Sequence, residues 1–192
     1  MTPLVLASES PRRRELLTAA GFVFDVVPVK VSEIPNKNLN VNEQILDIAR
    51  RKARAAFAHL KSSRSDPFRV LAADTEVIFG DAPLGKPQDE ADAYRILRLL
   101  SGNFHEVITA VCIIDSTSTK ELSQSEITQV HFRKLSNEEI WTYIKTGEPM
   151  DKAGAYGIQG QGGKLIDRFE GPFDNVVGLP VDLVKKMLAQ FS

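Results

Sequence analysis

The residues of this chain that could do chemistry are charged or amide side chains, most of them in predicted loops or at the ends of predicted elements. They are Arg12, Arg13, Glu33, Lys52, Asp74, Lys86 and Gln159. Cations from several segments can hold a polyphosphate, and carboxylates can hold a divalent ion with several waters or activate a water for attack. The set therefore predicts a site for a phosphorylated ligand, in which the carboxylates hold a divalent ion or activate a water. No Gly-x-x-x-x-Gly-Lys-Ser/Thr sequence is present, which excludes a P-loop enzyme.

Three arginines open a predicted helix that follows a short apolar run at residues 3–7. Ser10 is a suitable N-cap and Pro11 a suitable first helical residue. The unpaired amides of the first turn and the positive end of the helix dipole would then face the same region as Arg12 or Arg13. This geometry favours an anion such as a polyphosphate, and the alternative is an ordinary capped helix with solvated arginines.

Lys52 lies within the apolar face of a long predicted helix at residues 42–60, at an angular position between Ile48 and Ala49. An ammonium group in an apolar stripe needs a partner, a ligand or a route to water. Contact with a phosphate or a carboxylate is one interpretation, and a side chain that snorkels to solvent is the other.

Asp74 follows a predicted buried strand at residues 68–73, and ligands of open α/β sheets collect beyond the carboxyl ends of strands. Lys86 lies in a constrained loop at residues 83–87. Gln159 belongs to a glycine-rich segment at residues 151–163, a composition that suits a backbone close to a ligand or to another strand.

The remaining patterns alternate between helix and strand. Helices are predicted at residues 89–101, 136–147 and 181–191, and strands at 22–28, 106–114, 127–132 and 165–169. The strands at 106–114 and 127–132 are expected to be antiparallel neighbours, because the segment between them is short and polar.

Composition restricts the function further. The 192 residues are 43% hydrophobic and 26% charged with a formal net charge of -1, which indicates one folded domain and argues against a basic nucleic-acid surface. Cys112 cannot form an internal disulfide and is predicted to be a core residue, and the three histidines lack metal-ligand spacing. No stretch resembles a signal peptide or approaches the ~20 apolar residues of a membrane span, so we expect a cytoplasmic protein without a membrane partner.

Six strings, in order along nearly the whole chain, resemble the Maf family of nucleoside triphosphate pyrophosphatases. They are Leu6-Ala7-Ser8-Glu9-Ser10-Pro11-Arg12-Arg13, Ala73-Asp74-Thr75, Leu84-Gly85-Lys86-Pro87, Leu100-Ser101-Gly102 with His105 and Thr109, Asp151-Lys152-Ala153-Gly154-Ala155-Tyr156-Gly157-Ile158-Gln159-Gly160, and Gly178-Leu179-Pro180. The resemblance implies a single domain over residues 1–192, with an α/β fold similar to that of inosine triphosphate pyrophosphatases. A mixed, twisted sheet flanked by helices would form two lobes with a central cleft.

The resemblance also implies an activity and roles for residues. Asp-Thr followed later by Tyr-Gly-Ile-Gln-Gly is similar to the branch that hydrolyses dTTP and UTP to the monophosphate and pyrophosphate with Mg²⁺ or Mn²⁺, rather than the branch acting on 7-methyl-GTP. Modified pyrimidine nucleotides are further expected substrates. Matching positions imply catalytic roles for Asp74, Lys52 and Lys86, substrate binding by Ser8, Arg12, Arg13, Thr75 and Gln159, and metal binding by Glu33 and Asp74.

Two positions depart from the usual family pattern. Ala72 replaces a frequent glycine, and Glu76 stands where an apolar residue is usual. Glu76 adds a carboxylate near the expected metal site, although we expect it to be a solvated strand residue.

Other functions remain open at this point. A non-catalytic regulator of septum formation, which binds only a nucleotide or a division partner, would need the basic residues but not Asp74. A generic nucleic-acid binder has less support, because neither the charge nor interleaved aromatic residues favour it. A homodimer is also expected.

Overall fold

The computed structural model describes residues 2–191, which form a mixed α/β structure with a seven-stranded sheet. The strands are β1 (Leu4–Leu6), β2 (Phe24–Val26), β3 (Arg69–Phe79), β4 (Ala82–Pro83), β5 (Phe104–Asp115), β6 (Glu121–Phe132) and β7 (Ile166–Glu170). Their order is β2-β1-β3-β5-β6-β7, and β4 pairs with β3 outside this path. β1 is parallel to β2 and β3, whereas β4 and β7 are antiparallel to β3 and β6. The predicted mixed sheet is therefore confirmed.

Helices α1 to α6 connect and flank these strands. They are α1 (Pro11–Ala19), α2 (Val41–Lys61), α3 (Glu90–Leu100), α4 (Asn137–Ile144), α5 (Phe173–Val177) and α6 (Val181–Leu188). The side chains of Ser10, Asn40, Asp89 and Ser136 each accept an amide hydrogen bond at the N-terminus of the helix that follows. The five helices predicted from caps and apolar spacing are confirmed, because both signals are local in the chain.

Two strands are longer than the sequence predicts. The strand predicted at residues 68–73 does not end before Asp74: β3 continues to Phe79, where it pairs with β4 across a turn at Gly80 and Asp81. β6 begins at Glu121 instead of residue 127, although its first residues are polar. Pairing with neighbouring strands, rather than local composition, decides both lengths. The five-residue connection at 116–120 makes β5 and β6 antiparallel neighbours as predicted, because a parallel pair needs a much longer crossover.

The chain divides into two compact units, each built from separate segments. The first unit comprises residues 2–74, 109–126 and 178–191, and the second comprises residues 75–108 and 127–177. Each has its own apolar core. The first core includes Leu6, Leu17, Leu71, Ile113, Leu179 and Met187, and the second includes Ile96, Leu97, Leu100, Phe132, Ile140 and Ile144.

Candidate functional site

Lys52 lies at the centre of a charged cluster in the first unit. Its Nζ is 2.7 Å from Asp74 Oδ1 and 2.6 Å from Glu33 Oε1. The side chains of Lys52 and Asp74 are only 13% and 15% exposed, whereas that of Glu33 is 64% exposed. The prediction that Lys52 contacts a carboxylate is confirmed, and the alternative of a lysine snorkelling to bulk solvent is wrong.

Two rigid elements place Lys52 and Asp74 together. Lys52 projects from α2 between the buried residues Ile48 and Ala49, so the helix packing that buries its neighbours also fixes its direction. Asp74 lies within β3, three residues past the point where Leu71 pairs with the last residue of β1, Leu6. Asp74 therefore lies beyond the end of β1 rather than beyond the end of its own strand, which corrects the prediction from the sequence.

Arg51 holds the segment that carries Glu33. Its Nη1 donates to the carbonyl oxygen of Ser32, and its Nη2 donates to that of Ile34 at 3.1 Å. Asp47 pairs with the same guanidinium at 3.1 Å. Because the two carbonyls flank Glu33, helix α2 holds the backbone on both sides of this carboxylate as well as contacting its side chain through Lys52.

The N-terminus of α1 is organised around Ser8, Ser10 and Arg13. Ser10 Oγ accepts from the amide of Arg13, as its predicted capping role requires. The Arg13 side chain donates from Nε to the carbonyl oxygen of Gly178 at 2.8 Å and from Nη1 to Ser8 Oγ at 3.3 Å. The solvated-arginine interpretation is therefore wrong for Arg13, and Arg12 is half-buried beside it.

Electrostatics connect this helix end to the carboxylates. Burial lowers the pKa of Arg13, the negative charges of Asp74 and Glu33 act in the opposite direction, and Arg12 lowers it further. The first unit thus contains one group of interacting charges, made up of the cations Arg12, Arg13 and Lys52 and the carboxylates Glu33 and Asp74. Such a mixture can bind polyphosphate oxygens through its cations and a water or a metal through its carboxylates.

The donor set fits a metal that is held jointly with a substrate. Within residues 2–191, no group of three or more His, Cys, Asp or Glu side chains is placed to hold a metal ion. Mg²⁺ is commonly bound by one or two carboxylates together with waters and substrate phosphates. Glu33 and Asp74, which converge on one ammonium group, are a pair of this kind.

The other predicted residues belong to the second unit. Thr75 is half-buried and follows Asp74 in β3, Lys86 is exposed between Gly85 and the buried Pro87, and Gln159 is exposed in a turn. The roles assigned to these three residues stay predictions.

Glu76 differs from the sequence-based expectation of a solvated strand residue. It is half-buried, and its Oε1 accepts from the amide of Gly85 at 3.1 Å. This contact ties β3 to the loop that precedes Lys86, so the extra carboxylate has a structural partner.

Cys112 is buried, as the sequence predicts, and His105 is buried as well. Burial raises the pKa of the Cys112 thiol to about 12, which is unsuited to a nucleophile at neutral pH. Burial, assisted by the charge of His131, lowers the pKa of His105 to about 3, and its Nε2 lies 2.8 Å from the hydroxyl of Tyr156. Both residues are structural.

Sequence reasoning missed Glu148. Its carboxylate accepts hydrogen bonds from the amides of Gln161 and Gly162 and from the hydroxyl of Tyr143. The glycine-rich composition was the available signal, but it does not reveal which side chain the backbone approaches.

Comparisons with known proteins identify the family of the chain. A family model described as Maf-like protein matches residues 3–191. A dTTP/UTP pyrophosphatase of Bdellovibrio bacteriovorus is 74% identical over 188 residues, covering 98% of each chain. A dTTP/UTP pyrophosphatase of Thermococcus onnurineus is 48% identical, covering 96% of this chain and 95% of that protein.

A solved nucleoside-triphosphatase, a dITP/XTP pyrophosphatase of Mycobacterium abscessus, aligns with 98% of this chain and 92% of its own at 13% identity. Its TM-score of 0.47 is too low to support a conclusion. None of the helices in residues 2–191 is long and apolar enough to cross a membrane. With a family match over almost its whole length and relatives of high identity, the chain belongs to the Maf family.

Proposed function

We propose that this protein is a nucleoside triphosphate pyrophosphatase that hydrolyses dTTP and UTP to the monophosphate and pyrophosphate. The observation that carries the proposal is the contact of Asp74 and Glu33 with Lys52 in a chain 74% identical to a dTTP/UTP pyrophosphatase. A carboxylate held by a cation, next to further cations at a helix N-terminus, combines a group that can take a proton with groups that bind phosphates.

The basic residues bind the triphosphate in this proposal. Arg12, Arg13 and the positive end of the α1 dipole attract phosphate oxygens, and Ser8 Oγ accepts a hydrogen bond that holds the Arg13 guanidinium in place. Lys86 contributes a further cation. Because Arg13 also donates to the carbonyl oxygen of Gly178, its guanidinium group has a fixed orientation before any substrate binds.

Asp74 is the proposed proton acceptor. It takes the proton of a water as that water attacks the anhydride bond between the α- and β-phosphates, and pyrophosphate leaves. Lys52 orients the carboxylate and partly neutralises the charge that develops nearby. Glu33 and Asp74 are the residues that would hold Mg²⁺ or Mn²⁺, which when bound supplies charge neutralisation at the phosphate oxygens.

Base selectivity is proposed to come from Gln159 with Thr75. An amide offers both a donor and an acceptor, which match O4 and N3–H of uracil or thymine, whereas an ionised glutamate offers only acceptors. We expect Thr75→Gln combined with Gln159→Glu to shift preference toward purine substrates.

The decisive experiment is a panel of dTTP, UTP, CTP, ATP and GTP with Mg²⁺, Mn²⁺ or EDTA. Products are identified as monophosphate and pyrophosphate, which tests activity and the position of the broken bond together. We expect selective hydrolysis of dTTP and UTP that EDTA abolishes.

Binding of nucleotide without any pyrophosphate release would refute the proposal and favour a non-catalytic regulator. Release of single phosphates would refute the position of the broken bond. A cytoplasmic location, a homodimer and a house-cleaning role against modified pyrimidine nucleotides stay predictions.

A further inference from the structure

Glu148 organises the turn that carries Gln159. Glu148 Oε1 accepts from the hydroxyl of Tyr143 at 2.9 Å and from the amide of Gly162 at 3.1 Å. Glu148 Oε2 accepts from the amide of Gln161 at 2.9 Å. One carboxylate therefore holds two consecutive backbone amides directly downstream of Gln159.

The other side of the turn is held by the same network. The Tyr143 hydroxyl, which donates to Glu148, also accepts from the amide of Gly157 at 3.1 Å. Lys152 Nζ donates to the backbone carbonyl oxygen of Glu148 at 2.7 Å. Backbone groups on both sides of Gln159 thus converge on Glu148 and Tyr143.

The glycines of this segment leave room for these side chains. A Cβ on Gly160 would lie 2.5 Å from the Glu148 carboxylate oxygens, and a Cβ on Gly162 would lie 2.6 Å from the Tyr143 hydroxyl. A Cβ on Gly157 would lie 2.8 Å from Lys152 Cε. The glycine-rich composition therefore reflects close packing of the backbone around a carboxylate and its partners.

The charge state of the network is well defined. Burial by itself would raise the pKa of Glu148, but the amides of Gly162 and Gln161, the Tyr143 hydroxyl and the Lys152 charge together lower it. Burial raises the pKa of Tyr143. At neutral pH the carboxylate is a pure acceptor and the phenol a donor, so three donors meet one anion.

We infer that Glu148 is a positioning residue that sets the placement of the Gln159 side chain and thereby the base selectivity of the enzyme. The inference rests on the proposed function, in which Gln159 reads the base. Glu148 acts through the backbone amides of residues 161 and 162 rather than by touching the nucleotide. A carboxamide in its place presents an N–H group to these donors, so at least one of them loses its acceptor.

The test compares Glu148→Gln with the wild type and with Glu138→Gln, an exposed glutamate on α4 that serves as a matched control. Selectivity is the ratio of kcat/KM for dTTP to kcat/KM for GTP. We expect this ratio to fall ~10- to 100-fold in Glu148→Gln, mainly through a higher KM for dTTP, because small misplacements of a binding group cost about this much. The Glu138→Gln ratio should equal that of the wild type.

Amide hydrogen exchange supplies a readout that does not depend on activity. The amides of Gln161 and Gly162 should exchange faster in Glu148→Gln than in the wild type and the control. Tyr143→Phe, which keeps the carboxylate, is the second variant should Glu148→Gln fail to fold. It should give a smaller loss of selectivity together with faster exchange at Gly157.

The outcomes separate the inference from the proposed function. A selective wild type with unchanged selectivity in both variants overturns the positioning role alone. A wild type that releases no pyrophosphate overturns the proposed function, and the role of Glu148 in selectivity with it. Loss of selectivity with faster exchange at residues 161 and 162 supports the inference.

Discussion

Replacement of Asp74 by asparagine is expected to lower turnover by ~10²- to 10⁴-fold while leaving the protein folded. Asparagine has nearly the same shape and keeps an oxygen that can accept from Lys52 Nζ, which lies 2.7 Å from Asp74 Oδ1. It lacks the negative charge and cannot accept a proton at neutral pH. The chemical step therefore suffers far more than the packing.

The effect of Asp74→Asn on turnover is expected to be larger than its effect on the free energy of unfolding. The expected loss of turnover corresponds to about 3–5 kcal/mol of activation free energy. The hydrogen bond to Lys52 loses one of its two charges, and Lys52 keeps its second partner, Glu33, at 2.6 Å. The free energy of unfolding should therefore fall by only about 1–2 kcal/mol, or roughly 2–8 °C in Tm for a chain of this size.

Both quantities are measured on one preparation. Pyrophosphate release at saturating dTTP gives turnover, and thermal unfolding gives the Tm. Asp66→Asn, an exposed aspartate of the same unit, is the control and should change neither quantity. A folded Asp74→Asn variant with near-wild-type turnover would refute the role of Asp74 as proton acceptor or metal ligand.

Four further predictions test other parts of the molecule. Lys52→Met should reduce activity at least ~10-fold and lower the free energy of unfolding by about 2–4 kcal/mol in urea titration, because two carboxylates then face each other without their cation. Arg51→Met should impair activity more than Arg54→Met, since only Arg51 donates to the carbonyls that flank the candidate metal ligand; equal kinetics would contradict this. Gln159→Glu should lower kcat/KM for dTTP and UTP far more than it lowers the Tm, and equal wild-type activity on ATP, GTP, dTTP and UTP would remove the basis for this expectation. The free energy of unfolding should decline as the pH falls from 6.5 toward 3, by up to roughly 1.4 kcal/mol per pH unit. The reason is that the unfolded chain protonates His105 in this range, whereas burial lowers the pKa of His105 in the folded state to about 3. In urea titrations across this range, His105→Phe should show a shallower dependence on pH.

Local chemistry allowed the sequence to predict many elements. At the start of α4, Ser136 and Glu139 form a capping box in which each side chain accepts a hydrogen bond from the backbone amide of the other residue. The apolar spacing of α2 predicts its limits to within one residue at each end and identifies Lys52 as a charge in need of compensation. These features depend on residues a few positions apart, and the geometry of a helix fixes the relative positions of such residues in any surroundings.

Strand lengths were less predictable. β3 extends past Asp74 to Phe79, and its pairing with β4 involves residues that lie outside the strand predicted at 68–73. A strand continues as long as a neighbouring strand forms hydrogen bonds with its backbone N–H and C=O groups. The end of a strand therefore depends on its partner strand as much as on its own residues.

By itself the sequence determined the family, five of the six α-helices in the described residues, the mixed α/β class and the residue types of the candidate site, because strings, caps and periodicities are carried by contiguous residues. Only the tertiary structure decided which of these residues meet. Lys52 pairs with Asp74 across 22 positions, and Arg13 reaches the Gly178 carbonyl across 165. The carboxylate of Glu148 likewise contacts the amides of Gln161 and Gly162 only after the chain has folded back. Such contacts arise from packing between segments that are separated in the sequence, so no periodic pattern of residues predicts them.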